Sequence, residues 1–132
     1  MTKITRGDPD TLKNIRSNLY HHYIRVDNPG SIIFLSGQLS RNADGGLVGR
    51  GDMAKQTRQA IRNIETVLDS AGASLGDVVQ VVVYTTDMRE FDRITDARME
   101  FFKGELPTST IVEVNRLADP DLLIEIQATA VL

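Results

Sequence analysis

Three kinds of side chain in this sequence could do chemistry: a carboxylate set among aliphatic residues, two adjacent histidines, and a set of arginines. Glu125 follows Leu122-Leu123-Ile124 and precedes Ile126. Such a carboxylate either lies on a solvated strand face or is held in a polar pocket. In a pocket, desolvation would raise its pKa and suit it to general acid–base work. On the residues alone the solvated face is the better reading. His21 and His22, read as strand residues, point to opposite sides and cannot share a metal as an i, i+4 helical pair does. No cysteine occurs, which excludes disulfides, thiolate catalysis and thiolate metal sites together; no metal site is expected. Arg98 lies on the apolar side of a predicted helix, where its stem would snorkel past Ile94 and Phe101. Gly45-Gly46 with Gly49 and Gly51 lacks the lysine and hydroxyl residue of a phosphate loop and reads as a plain loop.

The elements that must position these groups follow from periodicity. Residues 1–19 are polar, with Gly7 and Pro9, and read as a lead-in. A strand over Tyr20 to Val26, the turn signal Asn28-Pro29-Gly30 and the apolar run Ile32 to Leu35 predict a hairpin. Asp52 is placed to cap a helix running to about Ala71, with Thr57, Ile61, Ile64 and Leu68 on one stripe and Gly72 ending it. The β-branched run Asp77 to Thr86 predicts a central strand. Asp87 and Glu90 form a capping-box pair that opens a second helix, which Gly104 and Pro107 end. Two alternating strands close the chain, one around Thr110 to Val114 and one from Ile124 to Ala130. Their face away from the helices is expected to carry Ile111, Glu113, Glu125 and Gln127, a mixed surface that a symmetric oligomer could bury.

At 132 residues the chain suffices for one compact domain, 1–132, with one core. Apolar residues make up 41% and charged residues 25%, which excludes a disordered or fibrous class. A net charge of −3 and sparse aromatic content argue against a nucleic-acid partner. No apolar run is long enough for a membrane span, and Met1 to Asp10 has no apolar signal region. The expected setting is the cytoplasm.

Read in order from Tyr20 onward, these segments resemble the RidA/YjgF family of small trimeric imine and enamine deaminases. The resemblance rests on Tyr20, Ser36-Gly37-Gln38, Gln56-Thr57-Arg58-Gln59-Ala60, Ala71-Gly72-Ala73-Ser74 with Asp77-Val78-Val79, and Thr86-Asp87-Met88. It continues through Pro107-Thr108-Ser109-Thr110-Ile111-Val112-Glu113-Val114 and Glu125-Ile126-Gln127-Ala128. It implies an α+β, chorismate-mutase-like fold of order β-β-α-β-α-β-β, a mixed sheet with two helices on one face. Three such subunits would pack into a barrel, with ligand clefts at their interfaces and no metal or organic cofactor.

By motif, the resemblance makes Glu125 the residue that positions a water for attack on an imine carbon. Tyr20 would line the cleft and Gly37 would offer backbone at its floor. Thr95 stands where an asparagine is common, and Ile111 where a cysteine often is. Ser109 replaces the arginine that grips a substrate carboxylate in active members. A serine cannot form that charge-assisted fork, and losing it in a desolvated site costs about 2–5 kcal/mol, so the usual 2-imino acids are not the expected substrates. Arg98, one turn beyond Thr95, and Arg41, whose spacing resembles the aminomuconate deaminase branch, are candidate replacements. The expectation is a homotrimeric deaminase or related hydrolase acting on a small reactive enamine or imine. The alternative is a non-catalytic trimer that binds a small metabolite or a protein partner in the same clefts. Ribonuclease activity gains little support from the acidic balance.

Overall fold

A computed structural model describes all residues from Met1 to Leu132. In chain order the elements are β1 (Lys3–Gly7), β2 (Tyr23–Asp27), β3 (Ile32–Phe34), β4 (Gln38–Leu39), α1 (Met53–Ser70), β5 (Val78–Thr85), α2 (Phe91–Met99), β6 (Thr108–Glu113) and β7 (Ile124–Val131). β1 and β2 form a two-stranded antiparallel sheet. The other strands form one sheet in the order β3-β7-β5-β6, with β4 also on β7. β5 runs parallel to β6 and antiparallel to β7, so the sheet is mixed. This is the α+β architecture expected, with both helices supplying the core over one sheet face.

The helix signals act as their chemistry dictates. The Asp52 carboxylate accepts from Lys55 N–H and opens α1. Ala60, Ile61, Ile64 and Leu68 then fall on one stripe and are fully buried. Gly72, at φ 78°, lets the chain leave the helix while Ala73 N–H returns to the Leu68 carbonyl. Asp87 accepts from Arg89 N–H and opens a tight 3₁₀ turn, Met88–Glu90, so the α-helix proper starts later, at Phe91. Glu90 does not complete a capping box; it pairs with Arg93. Ile61, Ile64, Leu68 and Ile94 from the helices meet Val81, Val83, Ile124, Ile126, Ala128 and Ala130 from the sheet in one core.

Four expectations are corrected. The lead-in contains a strand: Lys3–Gly7 pairs along Tyr23–Asp27 from Lys3↔Asp27 to Gly7↔Tyr23. Gly7 is required there, because a Cβ would stand 2.6 Å from Cε1 of the Tyr23 ring. The predicted hairpin does not form. Asn28-Pro29-Gly30 does turn the chain, but it passes it from one sheet to the other, where β3 pairs with β7. The histidines lie just before β2 rather than within a strand, so alternation does not separate them. Finally, Ile111 and Glu113 are in parallel register with Val83 and Thr85. Residues in register share a face, which puts both on the helix side, and Ile111 packs against the core. Glu125, in register with Tyr84, faces the other way, together with Gln127.

Candidate functional site

The interrupted edge strand builds the surroundings of Glu125. β3 pairs with the end of β7 and β4 with its start, Leu39 opposite Glu125. Between them Leu35 N–H bonds to the Ala128 carbonyl and Ser36-Gly37 leaves the ladder. That break brings Gly37 under the Glu125 side chain. A Cβ at residue 37 would overlap the carboxylate, whose Cδ would be 2.7 Å away. Glycine is therefore what allows the carboxyl group to rest on the backbone at this point. Glu125 is half-buried and takes part in none of the chain's ion pairs. Its strand is fixed by Gln56 of α1, whose side chain is fully buried. Gln56 Nε2 donates to the carbonyls of Gly49 and Asp121, and its Oε1 accepts from Leu123 N–H, two residues before Glu125.

A second cluster forms on the helix side at the β6 edge. Arg98 of α2 is 1% exposed, and its Nη2 donates to Ser109 Oγ at 3.0 Å. Its Nη1 is buried without a partner. Burial lowers the Arg98 pKa to about 10, so the guanidinium stays charged at neutral pH. Thr95, three residues earlier on α2, is also buried and donates its hydroxyl to the Asp92 carbonyl. Ser109 and Ile111 follow Val81 and Val83 in register.

The segment before β2 borders this cluster. The Arg16 guanidinium lies 4.9 Å from the Phe91 ring centroid, Asn18 reaches Met99, and His21 N–H donates to the Pro107 carbonyl. Tyr20 is half-buried here, its ring edge-on to His22 at 5.7 Å. His21 Nδ1 and His22 Nδ1 each lie 2.9 Å from the Asp8 carboxylate, which also accepts from His22 N–H and Asn14. The His21 side chain above all, then His22, holds Asp8 well below the usual carboxylate range. Sequence reading missed this cluster because Asp8 lies 13 residues from His21 and nothing in the sequence marks the pairing.

The candidate residues thus divide. Glu125 and Gly37 stand on the sheet face away from the helices. Thr95, Arg98, Ser109 and Ile111 stand at the opposite face; Tyr20 meets His22 and Asn14. Arg41 joins neither group through its guanidinium, which donates to the Gly45 carbonyl and lies 3.8 Å from Asp119. It lines a cleft of about 600 Å³ with Gly37, Leu39 and Asn63, and Glu125 is not part of that lining.

Comparison with known proteins agrees with this architecture. The family model described as endoribonuclease L-PSP matches residues 13–132. A RutC family protein of Pyrococcus horikoshii is 39% identical over 108 residues, covering 82% of this chain and 85% of the relative. A 2-iminobutanoate/2-iminopropanoate deaminase of Escherichia coli K12 is 34% identical over 112 residues, covering 83% and 86%. The crystal structure of the Rid family protein YyfB from Yersinia pestis superposes with a TM-score of 0.89 at 32% identity, covering 98% of each chain. Motif order, mixed sheet and these matches together place the chain in the RidA/YjgF family.

Proposed function

We propose that the protein is a deaminase of small reactive imines or enamines, working as a homotrimer with its sites between subunits. The observation that carries this reading is the Glu125 carboxylate resting on Gly37 without an ion-pair partner. A half-buried carboxylate with free acceptor capacity can hold a water by one hydrogen bond and take its proton as the oxygen attacks. Addition of water across C=N gives a carbinolamine. Return of the proton to nitrogen and cleavage of the C–N bond then release ammonia and a carbonyl product. An enamine enters the same sequence once a proton on its β-carbon converts it to the imine. Neither metal nor organic cofactor is required by this chemistry.

Assembly is part of the proposal because Glu125 and the Arg98–Ser109 cluster lie on opposite sheet faces. A site that uses both must be completed by a neighbouring copy. The face carrying Glu125 also exposes Phe34 and Ile32, with Phe34 79% exposed, which a second copy would cover. Ser109, in place of an arginine, favours the second reading, a trimer that binds a metabolite without turning it over.

Ammonia release distinguishes the two. The assay uses 2-imino acids generated in place and aminomuconate-type enamines, with Glu125→Ala as control. Release by the wild type that falls by about a hundredfold or more in the variant is expected, the usual scale for a lost general base. No release from either would leave the binding reading, and equal release from both would count against catalysis by Glu125.

A further inference from the structure

The open face of the sheet carries a row of side chains across four strands. Leu39 on β4 stands opposite Glu125 on β7, Glu125 opposite Tyr84 on β5, and Tyr84 in register with Val112 on β6. Residues directly opposite in an antiparallel pair share a face, with Cβ atoms about 4.5–5.5 Å apart. The alternation of β5 agrees. Val81, Val83 and Thr85 are buried on the helix side, so Tyr84 points the other way, toward the Glu125 face.

Tyr84 is half-buried. Its hydroxyl makes no hydrogen bond within the chain. The buried side-chain atoms left without a partner are nitrogens of Arg6 and Arg98, so the Tyr84 oxygen is open to solvent. The fold gives this hydroxyl no structural task. The carboxylate beside it is equally free. β3 and β4 flank β7 on one side and β5 flanks it on the other. The Glu125 carboxyl group rests over Gly37, between β3 and β4, and so leans away from Tyr84. A small molecule lying over β7 would have the carboxylate on one side and the phenol on the other.

Hydration of an imine needs one group that takes a proton from water and another that gives one to nitrogen. Leu39 and Val112 can do neither. Gln127, in the next row, offers an amide that donates hydrogen bonds without giving up a proton. A phenol can both give up a proton and regain it. We infer that Tyr84 is a second catalytic residue of the Glu125 site, the proton donor to the imine nitrogen, supplied by the same chain. This inference rests on the deaminase reading. As the water oxygen bonds to carbon, its proton passes to Glu125. The π pair of C=N moves to nitrogen, which takes the phenol proton. The carbinolamine then stands between a carboxylic acid and a phenolate. The acid returns its proton to nitrogen, and the phenolate takes the proton of the carbinolamine hydroxyl. The C–N bond breaks as the carbonyl forms. Ammonia leaves, and both side chains are back in their starting state.

The test is steady-state ammonia release from the same imines and enamines by wild type, Tyr84→Phe, Glu125→Ala and the double variant, each with its melting curve and elution volume. Tyr84→Phe keeps the ring and removes only the hydroxyl, so it is expected to melt and elute as wild type does. Its kcat should fall by about a hundredfold, the scale of a lost general acid, with KM within about twofold of wild type. The double variant should be no slower than Glu125→Ala alone, because the two groups serve one step. Full activity in Tyr84→Phe beside lost activity in Glu125→Ala overturns this inference and leaves the deaminase reading standing. A raised KM at unchanged kcat would make Tyr84 a binding contact and overturn it too. So would losses that multiply in the double variant, or a melting point that falls together with the rate. No release by wild type removes the deaminase reading and, with it, the role given to Tyr84.

Discussion

Glu125 rests where it does because residue 37 has no side chain. The carboxyl group occupies the volume that any Cβ there would need. Substituting Gly37 by alanine is expected to push the carboxylate off the backbone without disturbing the core, since Gly37 belongs to no ladder. A displacement of this kind costs roughly a hundredfold in turnover when the group positions a reactant. The measurement is ammonia release by Gly37→Ala beside its thermal melting curve: a drop in rate with an unchanged midpoint is the expected pair. A midpoint that falls together with the rate would assign Gly37 a structural role. At this scale the sequence was half legible. Motif order named Glu125, Gly37 and Ser109, and helix periodicity singled out Arg98. Their division between two sheet faces was not legible, because Ser109 and Ile111 take their face from the register of β6 on β5, and alternation alone leaves the choice of face open.

Two of the polar links between elements each carry a prediction. Gln56 ties α1 to the approach to β7 through three hydrogen bonds, all to backbone. Replacing it by alanine leaves the Asp121 carbonyl and Leu123 N–H without this partner, while the Gly49 carbonyl keeps its bond from Asp52 N–H. The expected loss is about 2–3 kcal/mol in a denaturant titration, the range for stranded buried groups. A loss under about 0.5 kcal/mol would mean that water replaces the side chain at no cost. The other link is Asp8, which gathers His21 and His22 and so holds the segment before β2 against α2 and Pro107. These hydrogen bonds lower its pKa in the folded chain. A lowered carboxylate pKa means that the unfolded chain binds the proton more readily. The stabilisation is thus present above the unfolded pKa of about 4 and is lost as pH falls toward the folded value. The melting-temperature gap between wild type and Asp8→Asn, measured at about pH 5, should therefore shrink as pH falls below about 4. A gap that is constant down to about pH 3 would count against the carboxylate as the anchor. Neither link was visible in sequence, since each joins residues separated by turns whose path the pattern does not fix.

The molecule as a whole presents an unfinished surface. The helices cover one face of the sheet, while the other carries Glu125, Gln127, Thr129, Ile32 and Phe34. Phe34 is the most exposed aromatic residue on it. If copies pack through this face, Phe34→Glu places a charge in each interface and should convert a species eluting at three times the 14.6 kDa chain mass into one eluting at the chain mass. Unchanged elution of the variant as a trimer would move the interface elsewhere, and elution of the wild type at the chain mass would end the shared-cleft reading.

The sequence by itself determined the class of fold, both helices, the cap and stripe of α1, the strands β5, β6 and β7, and the family. Those features are local, set by period, capping chemistry and motif order within a few residues. The tertiary structure alone decided that the polar opening segment supplies a strand, that the Asn28-Pro29-Gly30 turn moves the chain between sheets, and that two histidines share one aspartate. A strand's partner, and the face it turns to the core, follow from contacts between distant segments. Arg98 reached the Ser109 side chain because parallel pairing of β6 on β5 turned that serine toward α2.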